Sequence, residues 1–488
     1  MGFDTTTLIM LLTLGPIVIV LGWLRPFWVL STLVLLLPFR DLSIRILNAF
    51  TDIPIETVDS LSRWWFVTVL ALLAVWVVRG VSRFINSRRI PKPGILDIVL
   101  GVLVTMGIIE AFLSPNLWAG ITSLRGYLQP LIVFVLARAF LPREERDLRM
   151  LHIALLVVGA LLFAMALWQL TSWTEETYKA WGYVDQIGRI TGLFRDYGQI
   201  GVAFIRPAST VSGPNELGVL FLIFFYLALQ WLFFGAKKGR LVMVMLSIAF
   251  LVGLAMTNSR AGFIGLIGSA VVLLIYLLRI YWADLRTLDR RRWFLLLSAV
   301  LIGLIVFFVI MDSTGMLNMV TYTIQNPEKM DHIMKSLWAL QNLAQAPSGV
   351  GMGMVSPKGA GLLMETEALY HVEGSLFQIA FEWGVLGFAV WMAFIGIAQV
   401  RVWKAWVQTG SFQMQVHSGT AFLGWLGALA TFIFLPLMQS INLMVLLWFL
   451  LGLGVGLAQS AGPQSLDGST DPGEVPTNLG SGLGHANG

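Results

Sequence analysis

The segment TNSRAGFIG, residues 257–265, places a full positive charge where the surrounding sequence is almost entirely apolar. It lies between LVMVMLSIAFLVGLAM and FIGLIGSAVVLLIYLL, so Arg260 stands at the mouth of a long apolar helix. Asn258 and Ser259 are residue types that cap a helix start, accepting from the N–H groups of its first turn. Such a start offers unpaired N–H groups and the positive end of the helix dipole. A guanidinium added there suits a phosphate, which it grips with two parallel hydrogen bonds. The plainer alternative is an arginine whose stem lies along apolar surface while its head reaches the membrane headgroups.

A second set of polar residues lies in RITGLFRDYGQIGVAFIRPASTVSGPNELG, residues 189–218, with Arg189, Arg195 and Arg206. Its end is a helix start, with Gly213 near the cap, Pro214 at the first helical position and Glu216 in the first turn. Asn215 and Glu216 read first as partners of a turn and of the helix dipole, and Asn215 stays a binding candidate beside Arg206. A third set is EKMDHIMKSLWALQNLAQAPSGVGMG, residues 328–353. Ile333, Leu337, Leu340 and Ala344 recur at helical spacing, which predicts an amphipathic helix in the membrane interface, with His332 and Lys335 on a neighbouring face. The glycine-rich end of that stretch lets backbone approach a neighbour closely. In ETEALYHVEGSLFQIAFEWGVLG, residues 365–387, His371 and Glu373 immediately precede a long apolar helix, and Glu382 lies inside it. A carboxylate within a span is a functional candidate by default, and a structural hydrogen-bond role for Glu382 is equally open.

The elements that hold these groups are membrane helices. The chain has 488 residues, of which 57% are hydrophobic and 12% charged, and its mean hydropathy is +0.79. No soluble core hides that much apolar surface, so lipid is the solvent for most of the chain. The 19 Trp and 31 Phe suit interfacial belts and lipid-facing packing. With no cysteine, disulfides, iron–sulfur clusters and thiol catalysis are excluded. The first apolar run lacks a basic leader and a cleavage site and reads as a retained helix. Apolar stretches fall near 6–24, 26–39, 64–78, 95–113, 124–141, 150–170, 215–234, 241–256, 261–281, 293–311, 375–399, 418–437 and 440–459. That predicts an all-α polytopic protein with about 12 or 13 crossings over residues 1–460, the second stretch being short for a span.

Arginine and lysine cluster in alternate connections: 79–94, 138–149, 236–240, 286–292, and Arg401 with Lys404. These read as cytoplasmic, which places the outer segments near 171–214 and 312–374 on the other side, together with Arg260. The glycine-, proline- and serine-rich residues 461–488 are expected to form a disordered cytoplasmic tail.

Four stretches taken in order resemble the O-antigen ligase and O-antigen polymerase superfamily of bacterial envelope glycan assembly: RPASTVSGPNELG, TNSRAGFIG, HIMKSLWALQNLAQAPSGVGMG and HVEGSLFQIAFEWGVLG. The resemblance implies a GT-C-like membrane glycosyltransferase in the bacterial inner membrane, its site facing the periplasm. Its donor would be a polyprenyl-pyrophosphate-linked glycan, its acceptor a glycan or lipid. A chain-length regulator is a further possible partner; no cofactor, metal or nucleic acid is implied. Arg206 and Arg260 fall at the pyrophosphate positions, with Arg195, His332, Lys335 and Asn215 as further binding candidates and Glu382 and Ser259 in support.

The chain departs from the ligases near the base. Counting back nine residues from Glu382 reaches Glu373, not the histidine ligases place there, and His371 stands two residues early. The acidic residue is more like the polymerases. The expected reaction is attack by an acceptor hydroxyl on the donor's anomeric carbon, with Glu373 or His371 as general base and the arginines stabilising the leaving pyrophosphate. A flippase for lipid-linked sugars also needs arginines on the outer face. It would, however, line a cavity across both leaflets and often shows repeated halves, and no internal repeat is visible. A purely structural membrane partner leaves the two long polar outer segments unexplained.

Overall fold

The computed structural model describes residues 5–51, 53, 55–87, 93–183, 194–197, 202–235, 239–286, 341, 343–355, 372, 374–409 and 411–460. The expected span at 293–311, most of the predicted interfacial helix with His332 and Lys335, the candidates His371 and Glu373, and the expected tail at 461–488 lie outside the described residues.

The architecture is a bundle of antiparallel helices: α1 (Thr5–Leu24), α2 (Pro26–Leu36), α3 (Arg40–Phe50), α4 (Ile55–Leu61), α5 (Trp64–Ser87), α6 (Ile95–Leu113), α7 (Leu117–Ala139), α8 (Glu145–Ser172), α9 (Glu175–Ala180), α10 (Pro214–Phe234), α11 (Arg240–Met256), α12 (Arg260–Arg286), α13 (Ser375–Gln408), α14 (Phe412–Phe432) and α15 (Ile441–Ser460). Only one hairpin interrupts the described helices, β1 (Phe194–Tyr197) paired antiparallel with β2 (Val202–Ile205). Among the described residues nine helices are long and apolar enough to cross a membrane. Helices dominate because hydrocarbon offers no hydrogen-bond partner, so each backbone N–H must find its carbonyl within the same segment.

The expected short second span is α2 with a 3-10 turn (Leu37–Phe39), continued by α3. Residues 26–50 act as one candidate span of 25 residues. The hydropathy pattern missed the extension because α3 is amphipathic, with Arg40, Asp41 and Arg45 on its polar side.

The bundle has two chemically different ends. At one, Arg138 of α7 pairs with Asp97 of α6 and donates to Gln459 of α15 at 2.9 Å. Arg79 of α5 and Arg143 donate to Trp23 O and Leu24 O at the end of α1. Arg149, Arg240 and Arg401 belong to the same basic end. The starts of α10, α12, α13 and α15 and the segment 38–45 gather at the other, which holds both acids and bases. α1 therefore runs toward the basic end, the described spans from there to α12 alternate in direction, and α13, like α12, runs from the polar end to the basic one.

The middle of the bundle is packed with aromatic rings. Trp383, Trp391, Trp425 and Trp448 are all buried, and Trp448 contacts Phe134, Phe394, Trp391 and Trp425. α15 reaches α7 through small residues: a Cβ on Gly452 would sit 2.4 Å from Phe134 O and one on Gly456 2.6 Å from Arg138 O. Where lipid removes the hydrophobic drive between helices, such close backbone contact is what holds them together.

Candidate functional site

The site is built from the polar end. The strap between β2 and α10, residues 206–213, is tied down on both sides. Ser209 takes a left-handed φ of 51°, held by Gln169 Oε1 accepting from its N–H at 2.7 Å and by its own hydroxyl donating to Leu162 O at 2.8 Å. Gln169 Nε2 and the Tyr183 hydroxyl both donate to Ser209 O. Burial pushes the Tyr183 hydroxyl above the usual phenol range, against the opposing pull of Arg45, so Tyr183 stays a proton donor. On the other side Thr210 Oγ1 donates to Pro38 O at 2.7 Å, and Arg45 donates to Val211 O at 2.9 Å and Ser212 O at 3.1 Å.

This strap fixes Arg206. The residue is 2% exposed, unusual for a charge at the edge of a membrane bundle. Its Nε donates to Thr257 O at 2.8 Å and its Nη2 to Asn215 Oδ1 at 2.7 Å. One guanidinium thus bridges the first turn of α10 and the turn before α12. The two candidate stretches, far apart in sequence, meet here. Gly218 allows the approach, since a Cβ there would lie 3.1 Å from both Ser259 Cβ and Thr257 Oγ1.

The start of α12 behaves as its sequence predicts. Ser259 caps it: its hydroxyl accepts from Gly262 N at 3.3 Å and its carbonyl from Phe263 N at 3.1 Å. Asn258 takes the left-handed conformation, φ 47°, and its buried Oδ1 has no hydrogen-bond partner among the described residues. Arg260 is half-buried at the first helical position. The polar end therefore presents the starts of α10 and α12, Arg206 bridging them, Arg260 in the first turn of α12, and an amide oxygen without a partner among the described residues.

Two acids lie at the same end of the bundle. Glu216, 2% exposed, accepts from Ser212 N at 3.2 Å and from the Ser440 hydroxyl at 2.5 Å. Its role exceeds the expected complement to the helix dipole, because it joins α10 to the start of α15. Asp41 accepts from Arg40 at 3.0 Å and from Asn442 Nδ2 at 2.8 Å. Asp41, Ser440 and Asn442 were not singled out from sequence; the polar run QSIN between two apolar spans is the signal that marks the last two.

Glu382 lies deeper, fully buried. Its Oε2 accepts from the Ser123 hydroxyl at 3.2 Å and the Tyr127 hydroxyl at 3.3 Å, and its Oε1 from Val355 N at 3.4 Å. It clamps the glycine-rich stretch to α7 and α13. That stretch packs where α13 breaks its helical path at Gly384, φ 68°: Val350 N donates to Phe381 O and Val385 N to Pro347 O, both at 2.9 Å. Gly349, φ 85°, has room for no side chain, since a Cβ would lie 2.6 Å from Gly384 N. The close approach that these glycines permit is to helices of the same chain.

The candidate bases bracket described neighbours. Val372 is buried and accepts from Gln378 Nε2. Ser375 Oγ donates to Leu435 O at 2.8 Å and accepts from Met438 N at 3.0 Å. A Cβ on Gly374 would sit 2.2 Å from Ile433 O. The backbone after Glu373 is thereby anchored to the turn between α14 and α15, and Val372 before it to Gln378 of α13. Arg195 pairs through its backbone with Phe204 in the hairpin just before Arg206. Among the described residues no group of three or more His, Asp or Glu is arranged to hold a metal ion.

No curated protein matches the chain. Residues 241–392 match the family model described as O-antigen ligase, a stretch that takes in Arg260, His332, Lys335, His371, Glu373 and Glu382 but not Arg195, Arg206 or Asn215. Over that stretch, about a third of its length, the chain is similar to the O-antigen ligase family, whose members transfer glycans, and its apolar helices are those of a multi-pass membrane protein.

Proposed function

We propose that this protein is a membrane glycosyltransferase that lengthens a glycan carried on a polyprenyl pyrophosphate, working at the outer leaflet of a bacterial inner membrane. One observation carries the reading: the Arg206 guanidinium bridges the start of α10 to the turn that launches α12 and Arg260. Two arginines beside two helix starts suit a pyrophosphate better than a single phosphate, since each phosphoryl group finds its own cationic partner.

The chemistry follows. An acceptor sugar hydroxyl attacks the anomeric carbon of the donor glycan, the bond to pyrophosphate breaks, and the polyprenyl pyrophosphate leaves with the electron pair. Arg206 and Arg260 stabilise the charge gathering on it. Glu373, with His371 as the alternative, takes the hydroxyl proton and contributes about 10²–10⁴-fold. One displacement inverts the anomeric centre. Asn215 orients Arg206, Ser259 caps α12, and Arg195, His332 and Lys335 supply further contacts to the donor. No metal or cofactor takes part.

Transfer to a lipid or protein acceptor is the second reading, favoured by the description of the matching family as O-antigen ligase. Purified protein given lipid-linked repeat units in detergent separates the two. A ladder of longer glycans supports polymerisation, and product that appears only with an added lipid acceptor supports ligation. No product under either condition would overturn both and leave the flippase reading.

A further inference from the structure

The basic end carries a second arrangement of arginines that the proposed reaction does not use. Arg25, Arg79 and Arg143 line a cavity of about 130 Å³ together with Trp28, Phe140 and Asp147. Arg79 and Arg143 are held by the last carbonyls of α1, Arg79 on Trp23 O and Arg143 on Leu24 O. Arg79 also lies over the Trp23 ring, 5.1 Å from its centroid. Each bond to α1 uses one of the five N–H groups of its guanidinium. Arg25 is exposed, caps nothing with its side chain, and takes no side-chain partner among the described residues. Three arginines against one aspartate leave the cavity with two excess positive charges.

This cavity does not stand alone. Arg25 and Trp28 also line a groove of about 420 Å³ between α1, α2 and α5, whose other walls are mostly apolar side chains such as Leu14, Val18, Leu33 and Leu36, with Thr32 and Thr68 among them. From Leu14 to the end of α1 the groove extends about 15 Å, at about 1.5 Å of rise per residue. Half of a hydrocarbon core about 30 Å thick is the same length. A charged cup that opens into an apolar trough one leaflet deep has the shape of a two-part ligand, with an anionic head and a fatty chain.

We infer that Arg25, Arg79 and Arg143 with the α1–α2–α5 groove form a binding site for an anionic glycerophospholipid of the leaflet at the basic end. The phosphodiester sits among the guanidiniums and one acyl chain lies along Leu14–Leu21. Capping of α1 by Arg79 and Arg143 explains two of the arginines without a ligand. It does not explain Arg25, which lies at the junction of cup and groove. The site lies at the opposite end of the bundle from Arg206 and Arg260, so it stands whatever the fate of the proposed reaction.

Native mass spectrometry of the full-length protein, released from micelles doped with phosphatidylglycerol or with phosphatidylcholine of the same acyl chains, tests the inference. Phosphatidylglycerol adducts are expected to survive activation that strips phosphatidylcholine. Arg25→Gln should weaken phosphatidylglycerol binding about fivefold, and Arg25→Gln with Arg143→Gln about twenty-five-fold, at the usual gain per basic residue near an anionic lipid. Millimolar inorganic phosphate should not displace the lipid. Equal retention of the two lipids, unchanged binding by Arg25→Gln, or displacement by phosphate alone would each overturn the assignment. If Arg143→Gln impairs folding through α1, Arg25→Gln alone decides, because that side chain makes no hydrogen bond or ion pair among the described residues.

Discussion

Replacing Glu382 separates a structural carboxylate from a chemical one. Among the described residues three donors converge on it: the Ser123 and Tyr127 hydroxyls and the Val355 backbone N–H. In Glu382→Ala all three lose their acceptor in a site closed to water. A stranded buried donor costs about 1–3 kcal/mol. The hydroxyls can turn, and Ser123 keeps its bond from Gln439 Nε2 at 3.2 Å. The Val355 N–H cannot, so the expected loss is about 3 kcal/mol, with Val355 setting the floor. Glu382→Gln keeps the size, keeps one oxygen for Val355 N–H, and offers an NH₂ that either hydroxyl can accept. It should cost about 1 kcal/mol or less. Thermal unfolding in detergent, followed by tryptophan fluorescence, should show a clear fall in Tm for the alanine variant and little change for glutamine. Glycan transfer should follow the same order, with glutamine close to wild type. A glutamine variant with an unchanged Tm and no activity would refute the reasoning, because a carboxylate needed for its charge or its proton has a part in the reaction.

Four further outcomes are expected. Arg206→Lys keeps the charge but cannot span Thr257 O and Asn215 Oδ1, so transfer should fall at least about tenfold, while Asn215→Ala should fall less; equal rates for all three proteins would remove Arg206 from the site. Gly349→Ala forces a Cβ to 2.6 Å from Gly384 N in a left-handed conformation, which should cost about 2–5 kcal/mol and appear as a lowered Tm; an unchanged Tm would mean the turn can move off α13. In this cysteine-free chain, cysteines placed at Ser172 and Ser87 are expected to label on opposite sides of the membrane in intact cells, Ser172 alone reacting with an impermeant reagent; the reverse pattern would invert the orientation. Glu373→Gln should stop turnover with donor binding nearly intact, whereas loss confined to His371→Ala would make the histidine the base.

Much of this was legible in the sequence because hydropathy and charge act locally. Span after span begins within a few residues of its apolar stretch, since the cost of burying polar backbone and side chains in hydrocarbon is set segment by segment. Ser259 was readable as a cap for the same reason, its partner Gly262 lying three residues on. Arg206 and Arg260 were both recognisable as candidates, but not the bridge from one stretch to the other, because Thr257 O is a backbone group that any residue type supplies. The partners of Glu382 were hidden more deeply. Ser123 and Tyr127 lie more than 250 residues away, and nothing local distinguishes a serine facing a carboxylate from one facing its own helix. The stacked pair His152 and His417, Nε2 to Nδ1 at 3.3 Å across α8 and α14, escaped notice because each is a lone polar residue on an apolar helix. The short second span was misjudged for the opposite reason: α3 extends it with an amphipathic sequence that carries no span signature.

The central claim is that Arg206 and Arg260 hold a pyrophosphate at the polar end. Equilibrium binding of a short-chain polyprenyl pyrophosphate to the purified protein, set against the monophosphate of the same chain, tests it most directly. Wild type should prefer the pyrophosphate at least about tenfold, and Arg206→Ala and Arg260→Ala should each erase most of that preference while binding the monophosphate nearly as before. If both variants keep the full preference, the arginines serve the membrane interface and the bundle alone, and the pyrophosphate site lies elsewhere.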